Sequence, residues 1–322
     1  MKKRLIIQVV AIVGIFAIFS SYANAAAGVA NGFRLSPVRV DVSVEKGHSV
    51  TENLYLTNVN NYKITARAVI NEFSASSDES GSPAVILDNS RPTPPNSFKS
   101  ITSTIQDITI DAGQTVTVPV TIAIPKNANS GGYYGAVRFT SANSANGQSV
   151  TLSASVGTIF LITVPGKLTE QLQLVDFSAA QNGSTASFFS NSKNLQIVTR
   201  VHNTGNIHLA PNGKIDITNS GGKIVETINF NNVTPRGEVL PNTIRKYSYN
   251  IQKQELLGKY SAIAYLGYGT SGQVMTIKTS FWVIPFWLII VSGAVVLTLI
   301  GGIAYVVMRR RHAPRHKTHV KK

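Results

Sequence analysis

Two histidines and two pairs of acids are the residues whose spacing suggests catalysis or metal binding. His202 and His208 flank residues 203–207, and a hairpin there would bring their ring nitrogens near one another. Two nitrogens are too few for a zinc site, and no His-Glu-x-x-His string supplies a third ligand. The paired acids are Asp107 with Asp111 and Asp78 with Glu79. Acids at strand ends and in loops show the same spacing, and no Gly-x-Ser-x-Gly motif accompanies them. We therefore expect no enzyme activity, no metal and no cofactor.

Tyr133, Tyr134 and Arg138 are the candidate binding residues. On a strand, Tyr134 and Arg138 face one way and Tyr133 the other, so one tyrosine would be exposed beside the arginine. Exposed tyrosine and arginine are common binding hot spots, and both stack on sugars. The alternative is that both tyrosines fill a core, with Gly132 and Gly135 relieving the crowding.

These residues lie in a chain whose hydrophobic pattern has a period of two. Valines at 38, 40, 42 and 44 alternate with polar residues, which predicts a strand with one wet face. A second strand is predicted over 116–124, and Pro119, which lacks an N–H, places it at a sheet edge or a bulge. Further strands are predicted over 53–57, 63–73, 134–140, 150–164, 172–177, 196–202, 214–218, 224–230, 244–251, 260–268 and 274–281. The fold class is all-β, and strands of this length separated by turn residues are typical of antiparallel Ig-like sandwiches.

Two sandwiches are predicted, over 32–165 and 166–280, because Pro165 and Gly166 end a long apolar run. Residues 74–100, rich in serine, aspartate, asparagine and proline, read as a loop excursion from the first sandwich, either functional or disordered. Residues 44–51 and 110–117 share a strand-turn-strand pattern around a glycine, which predicts two similar hairpins in one domain.

The two ends of the chain carry membrane signals. Residues 1–25 have the basic start, apolar run and small-x-small pattern of a signal peptide, with Ala23 and Ala25 at the cleavage site. An uncleaved N-terminal helix is the alternative. Residues 282–308 contain no charged side chain, begin with aromatics that include Trp282 and Trp287, and predict a transmembrane helix. Its basic flank, Arg309, Arg310 and Arg311, opens a tail over 309–322.

Charge and cysteine content indicate where the chain resides. Basic residues near a membrane span stay cytoplasmic, so we expect an extracellular N-terminal part and a cytoplasmic tail at the cell membrane. The net charge of +15 comes mostly from the two ends, and no basic stripe with interleaved aromatics suggests nucleic-acid binding. The absence of cysteine from an exported protein favours a bacterial envelope with a single membrane.

Several strings resemble WxL-interacting cell-surface proteins of Gram-positive bacteria. In the first domain they are IAIPKNANSGGYYGAVRF at 122–139 and VGTIFLITVPG at 156–166. In the second they are VHNTGNIHLAPNGKIDI at 201–217, VLPNTIRKYSY at 239–249 and GKY at 258–260. The resemblance implies two Ig-like domains, one that binds peptidoglycan and another that binds surface proteins carrying WxL domains. Related membrane-anchored bacterial surface proteins share this layout.

Three function classes follow from the sequence. The main hypothesis is a membrane-anchored scaffold protein that binds cell-wall glycan, another surface protein, or both, with the lipid bilayer contacted through the C-terminal helix. The alternative is an assembly module acting by β-strand addition, which predicts an unpaired edge near 116–124. A third class, an envelope hydrolase, requires convergent carboxylates that the sequence does not offer.

Overall fold

The computed structural model describes residues 28–30, 32–87, 94–142 and 155–311. The predicted signal peptide, with Ala23 and Ala25, lies outside the described residues, as do tail residues 312–322. The predicted fold class is confirmed: the described chain forms two β-sandwiches followed by one long apolar helix.

The first sandwich consists of two sheets. Sheet 1 has the order β1-β2-β4-β8, and sheet 2 the order β3-β10-β9-β5-β6, with β7 also paired to β5. Its strands are β1 (Gly28–Ala30), β2 (Phe33–Ser36), β3 (Arg39–Ser43), β4 (Ser49–Asn58), β5 (Ile64–Ala75), β6 (Pro83–Val85), β7 (Ile108–Ile110), β8 (Thr115–Ala123), β9 (Gly131–Ser141) and β10 (Val156–Val164). A short helix, α1 (Phe98–Ile101), lies between β6 and β7.

The second sandwich has sheet 3, in the order β12-β11-β14-β17, and sheet 4, in the order β13-β19-β18-β15-β16. Its strands are β11 (Leu172–Gln181), β12 (Ser184–Thr185), β13 (Phe188–Phe189), β14 (Leu195–Asn203), β15 (Asn212–Asn219), β16 (Ile224–Phe230), β17 (Ile244–Asn250), β18 (Gly258–Tyr268) and β19 (Gln273–Val283). The sheets are antiparallel except for β3 with β10 and β13 with β19, which are parallel.

Each sandwich encloses its own apolar cluster. Alternate strand residues such as Leu54, Leu56 and Phe160 fill the first, and Ile215, Ile217 and Phe281 fill the second. A third, smaller cluster of Phe73, Leu161 and Leu240 joins residues of both sandwiches. These contacts follow from the period-two pattern, since one face of each strand must be removed from water.

The two turns predicted as hairpins have a different role. His48 N donates to Glu45 O and Gln114 N to Asp111 O, both at 3.1 Å, so each segment does turn at its glycine. However, β3 and β7 belong to sheet 2, whereas β4 and β8 belong to sheet 1. The hairpin prediction is wrong, because both turns carry the chain from one sheet to the other.

The C-terminal helix begins later than predicted. Helix α2 (Phe286–Arg311) is apolar over Phe286–Met308, long enough to cross a membrane, whereas Trp282 belongs to β19. The strand extends to Val283 because Phe281 and Val283 are fully buried in the second sandwich. Arg309, Arg310 and Arg311 form the last turn of the helix backbone.

Candidate functional site

The predicted binding residues are engaged in contacts within the chain, and Tyr133 is fully buried. Tyr133 is 2% exposed in the first core, and its hydroxyl donates to Asn129 O at 3.1 Å. Arg138 donates from Nε and Nη2 to Asn71 Oδ1, at 3.0 and 2.9 Å, and from Nη1 to Ser155 Oγ. Its guanidinium is therefore engaged within the first sandwich.

Tyr134 lies where the two sandwiches meet. Its ring packs edge-on against Phe73 of the first sandwich, with centroids 6.1 Å apart, and against His208 of the second, at 5.7 Å. The hydroxyl is 3.2 Å from His208 Nδ1, and burial raises the pKa of Tyr134. Tyr134 and Arg138 share a strand face as predicted, but Tyr134 contributes to the contact between domains.

A chain of polar contacts extends this inter-sandwich interface. His208 Nε2 lies 3.3 Å from Asp41 Oδ1, so both ring nitrogens of His208 have partners in the first sandwich. Arg39 donates to Asp41 Oδ2 and to Glu238 Oε1, both at 2.7 Å. Burial opposes ionisation of Asp41, but hydrogen bonds from His208 and Arg39 outweigh it and lower the pKa of Asp41. Charged groups from the two sandwiches therefore compensate one another.

The excursion over 74–100 supplies a second set of bridges. The Glu79 carboxylate accepts two hydrogen bonds from Arg200, at 2.7 and 2.5 Å, and Glu79 O accepts one from Lys246 N at 2.8 Å. The hydrogen bonds from Arg200 lower the pKa of Glu79. The described tip of the excursion thus fastens the first sandwich to sheet 3 of the second.

A cleft of about 650 Å³ lies beside this interface. Asp41, Glu170, Glu238 and His208 are among its lining residues. The described chain contains no group of three His, Asp or Glu residues placed to hold a metal ion.

The other predicted acids are held in separate contacts. Asp107 pairs with Arg67 and Asp111 with Lys63, so the structure does not bring the two carboxylates together. Asp78 accepts hydrogen bonds from Ser76 and Ser80, and these lower the pKa of Asp78 to about 2.

The edge position that Pro119 predicts for strand β8 is confirmed, because β8 lies at the edge of sheet 1. Its inner side pairs with β4 along its whole length. On the outer side, Ser103 N donates to Thr121 O at 3.0 Å. Backbone groups of successive residues point to opposite sides of a strand, so Thr115, Thr117 and Pro119 also point outward.

The outer side of β8 therefore has backbone partners along its C-terminal part but not along its N-terminal part, as far as the described strands show. Residues 102 and 103 run beside Ile122 and Thr121, whereas no described strand pairs with β8 on this side from Thr115 to Pro119. We call this open segment the β8 edge. It offers the N–H groups of Thr115 and Thr117 and the carbonyls of all three outward residues.

Side chains on both faces flank the β8 edge. Tyr55 lies directly opposite Thr117 on the outer face of sheet 1 and is 50% exposed. On the inner face, Val116 is only partly buried against the first core. Tyr55 was not among the predicted binding residues, although its place between buried Leu54 and Leu56 indicates an outward side chain.

No protein-family model and no curated protein matches the chain. Among solved structures, the chain is similar to the class 5 fimbriae chaperone CfaA, with 11% identity and a TM-score of 0.37 over 77% of this chain and 98% of that chain. The E. coli chaperone DraB has 13% identity and a TM-score of 0.33, over 78% and 96% of the two chains. The SafB chaperone, solved with the Salmonella enterica pilin SafA, has 12% identity and a TM-score of 0.34, over 78% and 96%. At these identities the similarity concerns the fold alone.

Proposed function

We propose that this protein is a non-enzymatic, membrane-anchored surface protein that binds an extended segment of a partner protein by strand pairing along the β8 edge. The observation that carries the proposal is that no strand in the described part of the chain pairs with the outer side of β8 from Thr115 to Pro119. An exposed strand edge presents N–H and C=O groups ready to pair with another chain.

The flanking side chains suit an extended peptide. A strand laid beside β8 places alternate side chains on the two faces of sheet 1. Those on the outer face approach Thr117 and Tyr55, which lie opposite one another across β4 and β8. Those on the inner face approach the partly buried Val116. Backbone pairing would supply affinity, and these side chains would supply selectivity.

The β8 edge is short, so the binding we propose is weak for a single contact. Each hydrogen bond contributes about 1 kcal/mol net, and Pro119 offers no donor. Membrane anchoring raises the effective concentration of a partner held at the same surface. Helix α2 would provide this anchor, with the sandwiches outside the cell and the basic tail inside.

The wall-glycan hypothesis stays a prediction, as does the resemblance to WxL-interacting proteins. Tyr133, Tyr134 and Arg138, the residues proposed to stack on a glycan, are engaged in contacts within the chain. The β8 edge instead favours a protein partner.

The test uses the backbone donor of Thr117. A photoreactive residue at position 55 is introduced into the full chain, in cells that produce the protein, and its cross-links are compared in two variants. Thr117→Pro removes the outward N–H, which the ladder with β4 does not use, whereas Thr117→Val retains it. We expect the cross-link to a protein partner to disappear in Thr117→Pro and to persist in Thr117→Val.

Equal cross-linking in both variants would show that the contact does not depend on strand pairing and would refute the proposal, as would no cross-link in either. Alkaline washing of the membranes tests the anchor separately, since a protein that spans the bilayer remains in the washed membrane fraction.

A further inference from the structure

Three side chains form a row on the outer face of sheet 4. Trp282 of β19 is the parallel partner of Phe188 and the antiparallel partner of Lys259. Residues directly opposite in a sheet project to the same face, so all three lie side by side. The rings of Phe188 and Trp282 stack with centroids 6.3 Å apart and planes at 9°. We call these residues the aromatic row.

The aromatic row is exposed although its chain neighbours are buried. Phe189 and Phe281 point into the second core and are 6% and 0% exposed. Phe188 is 66% exposed and Trp282 is 37% exposed. Phe188 and Trp282 therefore contribute their rings to the surface of the second sandwich and not to its core.

The aromatic row is located where the chain meets the apolar helix. Only Ile284 and Pro285 separate β19 from α2. Trp282 N donates to Ser187 O and Ile284 N to Phe189 O, both at 2.8 Å, so the second sandwich holds the chain up to the proline. Leu288 N then donates to Pro285 O at 2.9 Å, which starts the helix. The described chain has no flexible spacer between sandwich and helix.

The helix start continues the aromatic pattern. Phe286 and Trp287 are 67% and 61% exposed at the beginning of α2. Tryptophan is enriched at the boundary between hydrocarbon and water, and an adjacent lysine extends its amine toward the headgroups. Trp282, with Phe188 stacked on it, thus lies only four and five positions along the chain from Phe286 and Trp287.

We propose that the aromatic row rests in the headgroup layer of the bilayer, so that the second sandwich leans on the membrane with the outer face of sheet 4 toward the lipid. This inference rests on the membrane anchoring in the proposed function. Trp282 and Phe286 are four positions apart, at most about 13 Å of extended chain. The headgroup layer is only about 5 to 8 Å thick on each side, so Trp282 enters it when the sheet is inclined.

The test uses the full chain in lipid nanodiscs of phosphatidylcholine and phosphatidylglycerol. The chain has 2 tryptophans, so Trp287→Phe leaves Trp282 as the only reporter, and Trp282→Phe leaves Trp287. We expect lipid spin-labelled near its headgroup to quench Trp282, and acrylamide in the water to quench it weakly.

Replacing Phe188 tests the row itself. In the Trp287→Phe background, Phe188→Ser is expected to reduce lipid quenching of Trp282 about twofold, because one ring of the contact is lost. Val274→Ser is the matched control, since Val274 is 71% exposed at the far end of β19 and on the same face. It is expected to leave the quenching unchanged.

The two proposals fail in different ways. If lipid quenches Trp287 but not Trp282, and acrylamide reaches Trp282 freely, the protein is anchored but its second sandwich stands clear of the membrane, which overturns the inference. If lipid quenches neither tryptophan, the anchor itself is wrong.

Discussion

Glu79 contacts the second sandwich through two different groups. Its carboxylate accepts both hydrogen bonds from Arg200, and its carbonyl oxygen accepts one from Lys246. Because hydrogen bonds from Arg200 lower the pKa of Glu79 below its ordinary 4.5, the folded state favours the ionised form. The resulting stabilisation is present above about pH 4.5 and is lost as the pH falls through the folded pKa.

We therefore expect Glu79→Gln to lower the free energy of unfolding by about 1 kcal/mol at neutral pH. At an acidic pH below the folded pKa of Glu79, the wild type should approach the variant, since a protonated Glu79 is neutral, as the glutamine is. Urea unfolding of the full chain at the two pH values measures this. Asp107→Asn is the control, because Asp107 pairs with Arg67 inside one sandwich and both are exposed. A loss of stability for Glu79→Gln that is the same at both pH values would contradict the expectation.

Sequence patterns predict single residues well only where a local rule applies. Pro119 indicated an edge strand from its missing N–H alone, and β8 lies at an edge. The contact between Arg39 and Glu238 joins residues 199 positions apart. No periodicity or spacing encodes a partner at that distance, because it depends on how the two sandwiches pack.

For whole elements too, the sequence predicts local conformation but not long-range pairing, as the turns at Gly47 and Gly113 show. Both glycines have positive φ, at 77° and 70°, as the sequence pattern requires. The pattern specifies the turn but not the pairing partners of the strands that leave it.

Strand length decides how well a strand's bounds can be predicted. Strand β16 was predicted with its observed bounds, Ile224–Phe230, whereas β7, with three residues, is too short to show alternation.

Glu72 holds the end of the excursion over 74–100 against the first sandwich. Its buried carboxylate accepts hydrogen bonds from Ser97 Oγ at 2.6 Å and from the N–H groups of Phe98 and Lys99, at 3.2 and 3.1 Å. These are the first N–H groups of α1, which have no partners within the helix. One carboxylate on β5 thus fixes the position of α1.

We expect Glu72→Ala to destabilise the protein by about 2 kcal/mol, because buried donors lose their acceptor. Amide exchange should accelerate first over residues 97–101. Hydrogen exchange with mass spectrometry measures both effects. Glu45→Ala, at an exposed turn, is the control and should change neither. Uniform acceleration across the first sandwich would show that Glu72 does not act locally on α1.

The molecule as a whole depends on a small apolar contact between two large cores. Leu240 of the second sandwich packs with Phe73 and Leu161 of the first, and Tyr134 lies against them. The polar contacts of Arg39 with Glu238 and of Glu79 with Arg200 also join the two sandwiches. The sandwiches should therefore unfold together while the cluster is intact.

Leu240→Ser is expected to separate this single thermal transition into two, because removing the side chain costs about 2 to 4 kcal/mol at the contact. Differential scanning calorimetry of the full chain detects the change. Val233→Ser, at a site 61% exposed in the same segment, should keep one transition. Two transitions already present in the wild type would show that the sandwiches are energetically independent.

Pro119 has a consequence for the membrane-anchored arrangement proposed above, in which many copies would share one surface. Two open edges facing each other across adjacent molecules would tend to zip into a continuous sheet and spread as an aggregate. The proline interrupts the row of N–H groups after Thr117, so neighbouring copies find too few donors for a long ladder. We therefore expect densely anchored copies to stay dispersed while each keeps a short stretch of backbone available for pairing.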